Sequence, residues 1–168
     1  MLETEFLIWL HLLGLAGYFG VQCALIYMLL PAAEKITDEA TRRAALIQGF
    51  KFYNPFSIAT LGVLVMTGAF RLTDLKASMK FDYFSRIGTI LSIKLLLVFL
   101  LIFLQTYITF GLAFRIGRQE EVAAHGDGEP FTVEKVNSML GRIRSMTWIT
   151  IVLTAGIVFV AIRMARAA

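Results

Sequence analysis

Ser92-Ile93-Lys94-Leu95-Leu96-Leu97-Val98-Phe99-Leu100-Leu101-Ile102-Phe103-Leu104-Gln105 sets one lysine ahead of ten consecutive apolar residues. Extended to Ile87 and Phe114, this segment is about 42 Å long as an α-helix at ~1.5 Å per residue, enough to cross a hydrocarbon layer of ~30 Å with some tilt. Lys94 then lies inside the membrane. An ammonium near the centre of a span costs about 2.5–3.5 kcal/mol on insertion scales, against roughly 0.3–0.6 kcal/mol in favour from each Leu, Phe, Ile or Val. The segment inserts, but against that cost. Lys94 stands seven residues after Ile87, about 10 Å from that end. Two readings follow: its stem snorkels to the headgroups, or its ammonium faces the bundle, as charged residues inside spans usually do.

The whole chain agrees with a membrane assignment. Its 168 residues are 58% hydrophobic and 17% charged, with a mean hydropathy of +0.73. That composition excludes an ordinary soluble domain and predicts an all-α integral membrane bundle of four spans, a single domain over residues 1–168. The twelve Asp and Glu fall outside the apolar runs, so the net charge of +4 belongs to loops beside lipid headgroups rather than to a nucleic-acid surface. A single cysteine, Cys23, excludes an internal disulfide and any CxxC pair. The first apolar run follows Glu3 and Glu5 and continues past Cys23 to Leu30, which reads as a retained span rather than a cleaved signal peptide. No repeat with a period of about 20–50 residues is visible.

In chain order, the first span is expected over Phe6 to Leu30, ended by Pro31. Gly14, Ala16, Gly17, Gly20 and Ala24 would admit another helix closely. His11, Tyr18 and Gln22 recur at helical spacing, so one stripe carries the hydrogen-bonding side chains and should face the bundle. Thr37, followed by Asp38 and Glu39, suits a helix start. The next buried stretch covers Pro55 to Leu72, with Pro55 predicting a kink or break. Arg71 to Arg86 reads as a connector lying along the interface. The third span is Ile87 to Phe114. Arg115 to Phe131, containing His125, reads as a loop. Thr132 can cap a last helix whose membrane part runs from Met146 to Ile162.

Four spans put both termini and the Arg71–Arg86 connector on one side. That side carries six Lys and Arg and the opposite side nine, which places the long loops in the cytoplasm and the termini outside. Spans one and three both start on the terminus side, so His11 and Lys94 should sit about 8–10 Å deep in one leaflet. Spans two and four end there, bringing Met66, Thr67, Arg71 and Arg163 to the same half. Imidazole and thioether are haem iron ligands, and Lys or Arg at the membrane edge can pair with propionates. The residues are therefore compatible with a b-type haem held by His11 and Met66, with Lys94, Arg71 and Arg163 as cationic partners and Lys94 as the candidate catalytic group. A quinone site or a structural cluster is also compatible. Copper is the competing metal, since His11, Cys23, Met28 and Met66 are soft ligands, though they form no dense array. No intramembrane carboxylate pair, phosphate loop or hydrolase triad is present.

The same residues carry a family resemblance. Leu10-His11 followed by Tyr18-Phe19-Gly20-Val21 resembles the first-helix pattern of the HemJ-type protoporphyrinogen oxidases. Lys94-Leu95-Leu96-Leu97-Val98 resembles the Lys-Leu-x-Leu-Val stretch of that type and the lysine-bearing helix of copper resistance protein D membrane domains. Leu64-Val65-Met66-Thr67-Gly68 is similar to the run ending the preceding helix in both groups. The likeness covers about two thirds of the chain. It implies a haem-binding or copper-handling bacterial inner-membrane protein, with lipid, haem or porphyrin, and a second copy or larger membrane complex as partners. A non-catalytic subunit of such a complex is the third reading. The arginine that the HemJ type carries late in its first helix is replaced here by the tract holding Gln22, Tyr27 and Met28.

Overall fold

Within lipid, every backbone N–H and C=O must be satisfied inside its own segment, which leaves long apolar runs no alternative to helix. A computed structural model describes residues 2–79, 83–124, 129 and 131–167, and shows that outcome. Helix α1 spans Leu2–Ala24 and continues through a π-helical segment, Leu25–Leu29, into α2, Leu30–Glu34. Helix α3 is Glu39–Met79. Helix α4, Tyr83–Thr106, passes through a second π-helical segment, Tyr107–Ala113, into α5, Phe114–Ala124, and α6 is Val133–Ala167. Four stretches are long and apolar enough to cross a membrane: Glu5–Glu34, Glu39–Thr73, Gly88–Gln119 and Val133–Ala165.

The outer surface is more apolar than that of a soluble bundle, and polar side chains are buried beside the apolar core. Phe99, Phe103, Leu96, Val152 and Phe159 are exposed, whereas Gln22, Ser57, Gln105, Thr147 and Thr150 are buried. Such an arrangement is stable where the surroundings are as apolar as leucine and the interior offers the polar partners. The buried threonines of α6 also satisfy themselves: the hydroxyls of Thr147, Thr150 and Thr154 donate to carbonyls one turn earlier.

Packing follows two hairpins, α1 mainly on α3 and α4 mainly on α6. Small residues set the first. A β-carbon built at Gly14 would meet Val63 Cγ1 at 3.1 Å, and one at Gly17 would meet Thr60 Cγ2 at 3.0 Å, so α3 lies against the glycine face of α1. Gly20 faces open space and takes no part. The apolar core lies toward the loop side, where Leu25, Leu30, Leu46, Phe50, Ile108, Ile116, Val136 and Ile143 pack together.

Several expected boundaries move, each for a local reason. Pro31 does not end the first span. It falls in the first turn of α2, directly after the π segment, whose wide turn bonds the Leu30 amide to the Leu25 carbonyl and absorbs the missing proline N–H. Pro55 causes no break, because α3 runs through it unbroken. The residue that caps α3 is Asp38 rather than Thr37: the Thr41 amide donates to Asp38 Oδ2 at 2.8 Å, and the Thr41 hydroxyl donates to the same oxygen. These two bonds hold the Asp38 carboxyl below the usual carboxylate range.

The expected interfacial connector is mostly helix, since no Gly or Pro interrupts Arg71 to Met79, and α3 continues to its end. Likewise α5 carries helix to Ala124 across most of the first half of the expected Arg115–Phe131 loop. Residues 80–82, 125–128 and 130, His125 among them, lie outside the described residues. Thr132 caps α6 as expected, with the Lys135 amide 3.4 Å from its hydroxyl and the Val136 amide donating to its carbonyl at 3.1 Å.

Candidate functional site

His11 lies on the inward stripe of α1 that also carries Tyr18 and Gln22; it is half-buried, and the other two are fully buried. Across the α1–α3 contact, His11 Nδ1 is 2.7 Å from Thr67 Oγ1. The Thr67 hydroxyl is 2.6 Å from the Val63 carbonyl, which can only accept, so the hydroxyl proton points there. The threonine oxygen therefore accepts from His11 Nδ1–H. This network assigns the proton of the neutral imidazole to Nδ1, which puts the ring's lone pair on Nε2; the Leu64 backbone also bonds the ring. Gly68, next in sequence, lies beside the ring: a β-carbon there would stand 3.6 Å from His11 Cε1, an ordinary contact.

Two cations lie within electrostatic range of this imidazole, Lys94 on α4 and Arg71 on α3, and Arg71 also acts on Lys94. Lys94 is partly buried and Arg71 exposed. No carboxylate pairs with either among the described residues. Two unpaired cations beside an imidazole, drawn from three helices, make a place for an anion.

The remaining sequence candidates are not drawn into this group. Met66 directly precedes Thr67, so it projects about 100° round the helix, and it is 62% exposed. With the neighbouring residue turned on His11, one chain does not assemble a His11–Met66 ligand pair. Arg163 is exposed, its guanidinium 5.5 Å from the Phe159 ring centre. Cys23 is partly buried and Met28 70% exposed. Among the described residues, no group of three His, Cys, Asp or Glu side chains could hold a metal ion.

Deeper in the bundle is a second polar assembly centred on Gln105. Its Oε1 accepts from Tyr18 at 2.9 Å and from Gln22 Nε2 at 2.8 Å. Its Nε2 lies 3.2 Å from both Tyr53 and Ser57 and 3.0 Å from Thr109. Tyr53 closes the ring by donating to Gln22 Oε1 at 3.0 Å. Gln22 and Gln105 stand eleven residues beyond His11 and Lys94, about 16 Å further along their helices. Sequence reading named Tyr18 and Gln22 but assigned no role to Gln105, although it closes the decisive stretch. An amide ending ten apolar residues inside a span is itself the signal, because it must find partners there.

Compared with family models, curated proteins and solved structures, the chain gives no match in any of the three.

Proposed function

We propose that the chain is a membrane redox protein that holds a b-type haem at His11. The observation that carries this reading is the Nδ1–H bond to Thr67 at 2.7 Å, which puts the lone pair of a neutral imidazole on Nε2. A ligating histidine characteristically donates its second ring N–H to an orienting acceptor. Lys94 and Arg71 suit the propionates or an anionic substrate, and their uncompensated charge favours an anion over a bare copper ion. Bound there, haem supplies one-electron transfer. The chain itself orients the imidazole, neutralises carboxylates with Lys94 and Arg71, and keeps water from the apolar span walls. The resemblance to the HemJ type points the same way.

A reduced-minus-oxidised absorption spectrum of the purified protein tests this. Haem bands are expected in the wild type and in His125→Ala, and are expected to vanish in His11→Ala. Stoichiometric copper without haem would favour the copper-handling alternative, and a chain that binds neither and copurifies with partners would favour a subunit role.

This reading also puts the chain in a bacterial inner membrane with termini outside and long loops in the cytoplasm, on the nine-to-six excess of Lys and Arg. A C-terminal alkaline phosphatase fusion is expected to be active and a C-terminal green fluorescent protein fusion dark. The opposite pair of results reverses the orientation.

A further inference from the structure

At the end of the bundle away from His11, where α2 ends and α3 and α6 begin, a cavity of about 200 Å³ lies between the helices. Leu30 and Leu140 give it apolar lining, and Arg42, Arg144 and Glu34 give it charge. Arg144 pairs with Glu34 at 2.6 Å. Glu39, outside the lining, is divided between Arg42 at 3.5 Å and Arg43 at 3.0 Å, and the lining itself holds two guanidiniums to one carboxylate. Arg42 Nη2 donates to Asn137 at 2.6 Å, but its Nε is buried with no acceptor. A buried charged donor without a partner is rare and costly, and asks for a bound acceptor.

We propose that this cavity binds a phosphate ester, with Arg42 and Arg144 as its donors. Three features fit that chemistry. The excess charge is positive, the unfilled group is an N–H, and a planar guanidinium matches phosphate oxygens. The cavity also sits where the first span ends at Glu34 and the fourth opens at Val133, the level of lipid headgroups, with leucines to meet the ester's carbon side. The ester belongs either to an anionic phospholipid or to a soluble phosphate.

The full chain, stripped of lipid in dodecyl maltoside micelles, separates the two sources. Phosphatidylglycerol and glycerol 3-phosphate are added separately, and the thermal midpoint and mass-resolved adducts are followed. A ligand of the native state raises the midpoint. A response to phosphatidylglycerol alone identifies the lipid, and one to both identifies a soluble ester.

Gly141→Leu is the decisive variant. Gly141 lines the cavity, and a β-carbon there meets nothing within 4 Å, so a leucine side chain can start into the space and leaves both arginines' charge in place. Its midpoint without added anion is expected to match the wild type, while its affinity for the responding ester falls roughly tenfold or more, the loss of about one charge-assisted hydrogen bond. No response of the wild type to either ester overturns the proposal, as does an undiminished response in Gly141→Leu.

Discussion

Gln105→Leu is expected to lower the stability of the bundle by about 2–4 kcal/mol, read from reversible unfolding in mixed dodecyl sulfate micelles. Leucine matches the glutamine in size, so the cost comes from hydrogen bonds. The Tyr18 hydroxyl and the Gln22 amide both donate to Gln105 Oε1, and neither Tyr18 nor Gln22 has any exposed surface. With leucine at 105 the Gln22 amide loses this acceptor in a place water does not reach, and Tyr18 keeps its bond with Thr150. Interhelical hydrogen bonds in membrane proteins average only ~0.6 kcal/mol and reach ~1.7. A single lost bond would thus be a small effect, and it is the number of partners on one amide that makes this one large. The cycle with Tyr18→Phe isolates one arm: a coupling of about 0.6–1.7 kcal/mol is expected. Strict additivity of the two substitutions would show that the 2.9 Å bond contributes nothing. Because Gln105 is about 16 Å deeper than the imidazole, the variant should retain whatever cofactor the wild type carries.

What could be read in the sequence divides along physical lines. The spans were legible because hydropathy over twenty residues is a sum, and no local detail reverses it. The inward stripe of α1 was legible because helical spacing puts His11, Tyr18 and Gln22 on one face. Helix ends were not. Pro31 signals a stop, but here it follows a π turn and the chain continues; at Pro55, where a kink or a break is expected, α3 is unbroken. Met66 was misleading for a related reason. Its place in the chain sets its depth in the bundle, while its azimuth depends on which neighbour faces the partner helix, and here that neighbour is Thr67.

An internal correspondence is hard to see in the sequence because, apart from the two glutamines, it keeps burial and spacing rather than residue type. Gln22 and Gln105 are 83 positions apart, and the same interval carries His11 onto Lys94 and the first π segment into the second. In the paired helices, Leu46, Phe50, Ser57 and Leu61 recur at matching intervals as Met139, Ile143, Thr150 and Thr154, all buried. The chain is thus laid out as two equivalent hairpins, α1–α3 and α4–α6. The two glutamines meet at the join. The position eleven residues before each glutamine holds an imidazole in one hairpin and an ammonium in the other.

Thr67→Val tests whether the imidazole is held for that purpose. Valine keeps the shape of threonine and removes the oxygen that accepts from His11 Nδ1–H. Loss of a partner that orients a ligating histidine typically weakens metal binding by about 10- to 100-fold. Haem retention through repeated detergent washes should fall by a factor in that range, with the fold intact, since the hydroxyl's other bond returns to its own helix at Val63. Thr67→Ser restores the oxygen and should restore retention. Met66→Leu serves as the control, because a side chain 62% exposed on the next face of the helix should leave the spectrum unchanged. If Thr67→Val holds haem as tightly as the wild type while Met66→Leu loses it, the Nε2 argued for His11 is not the ligand atom, and the site must be sought on the outer face of α3.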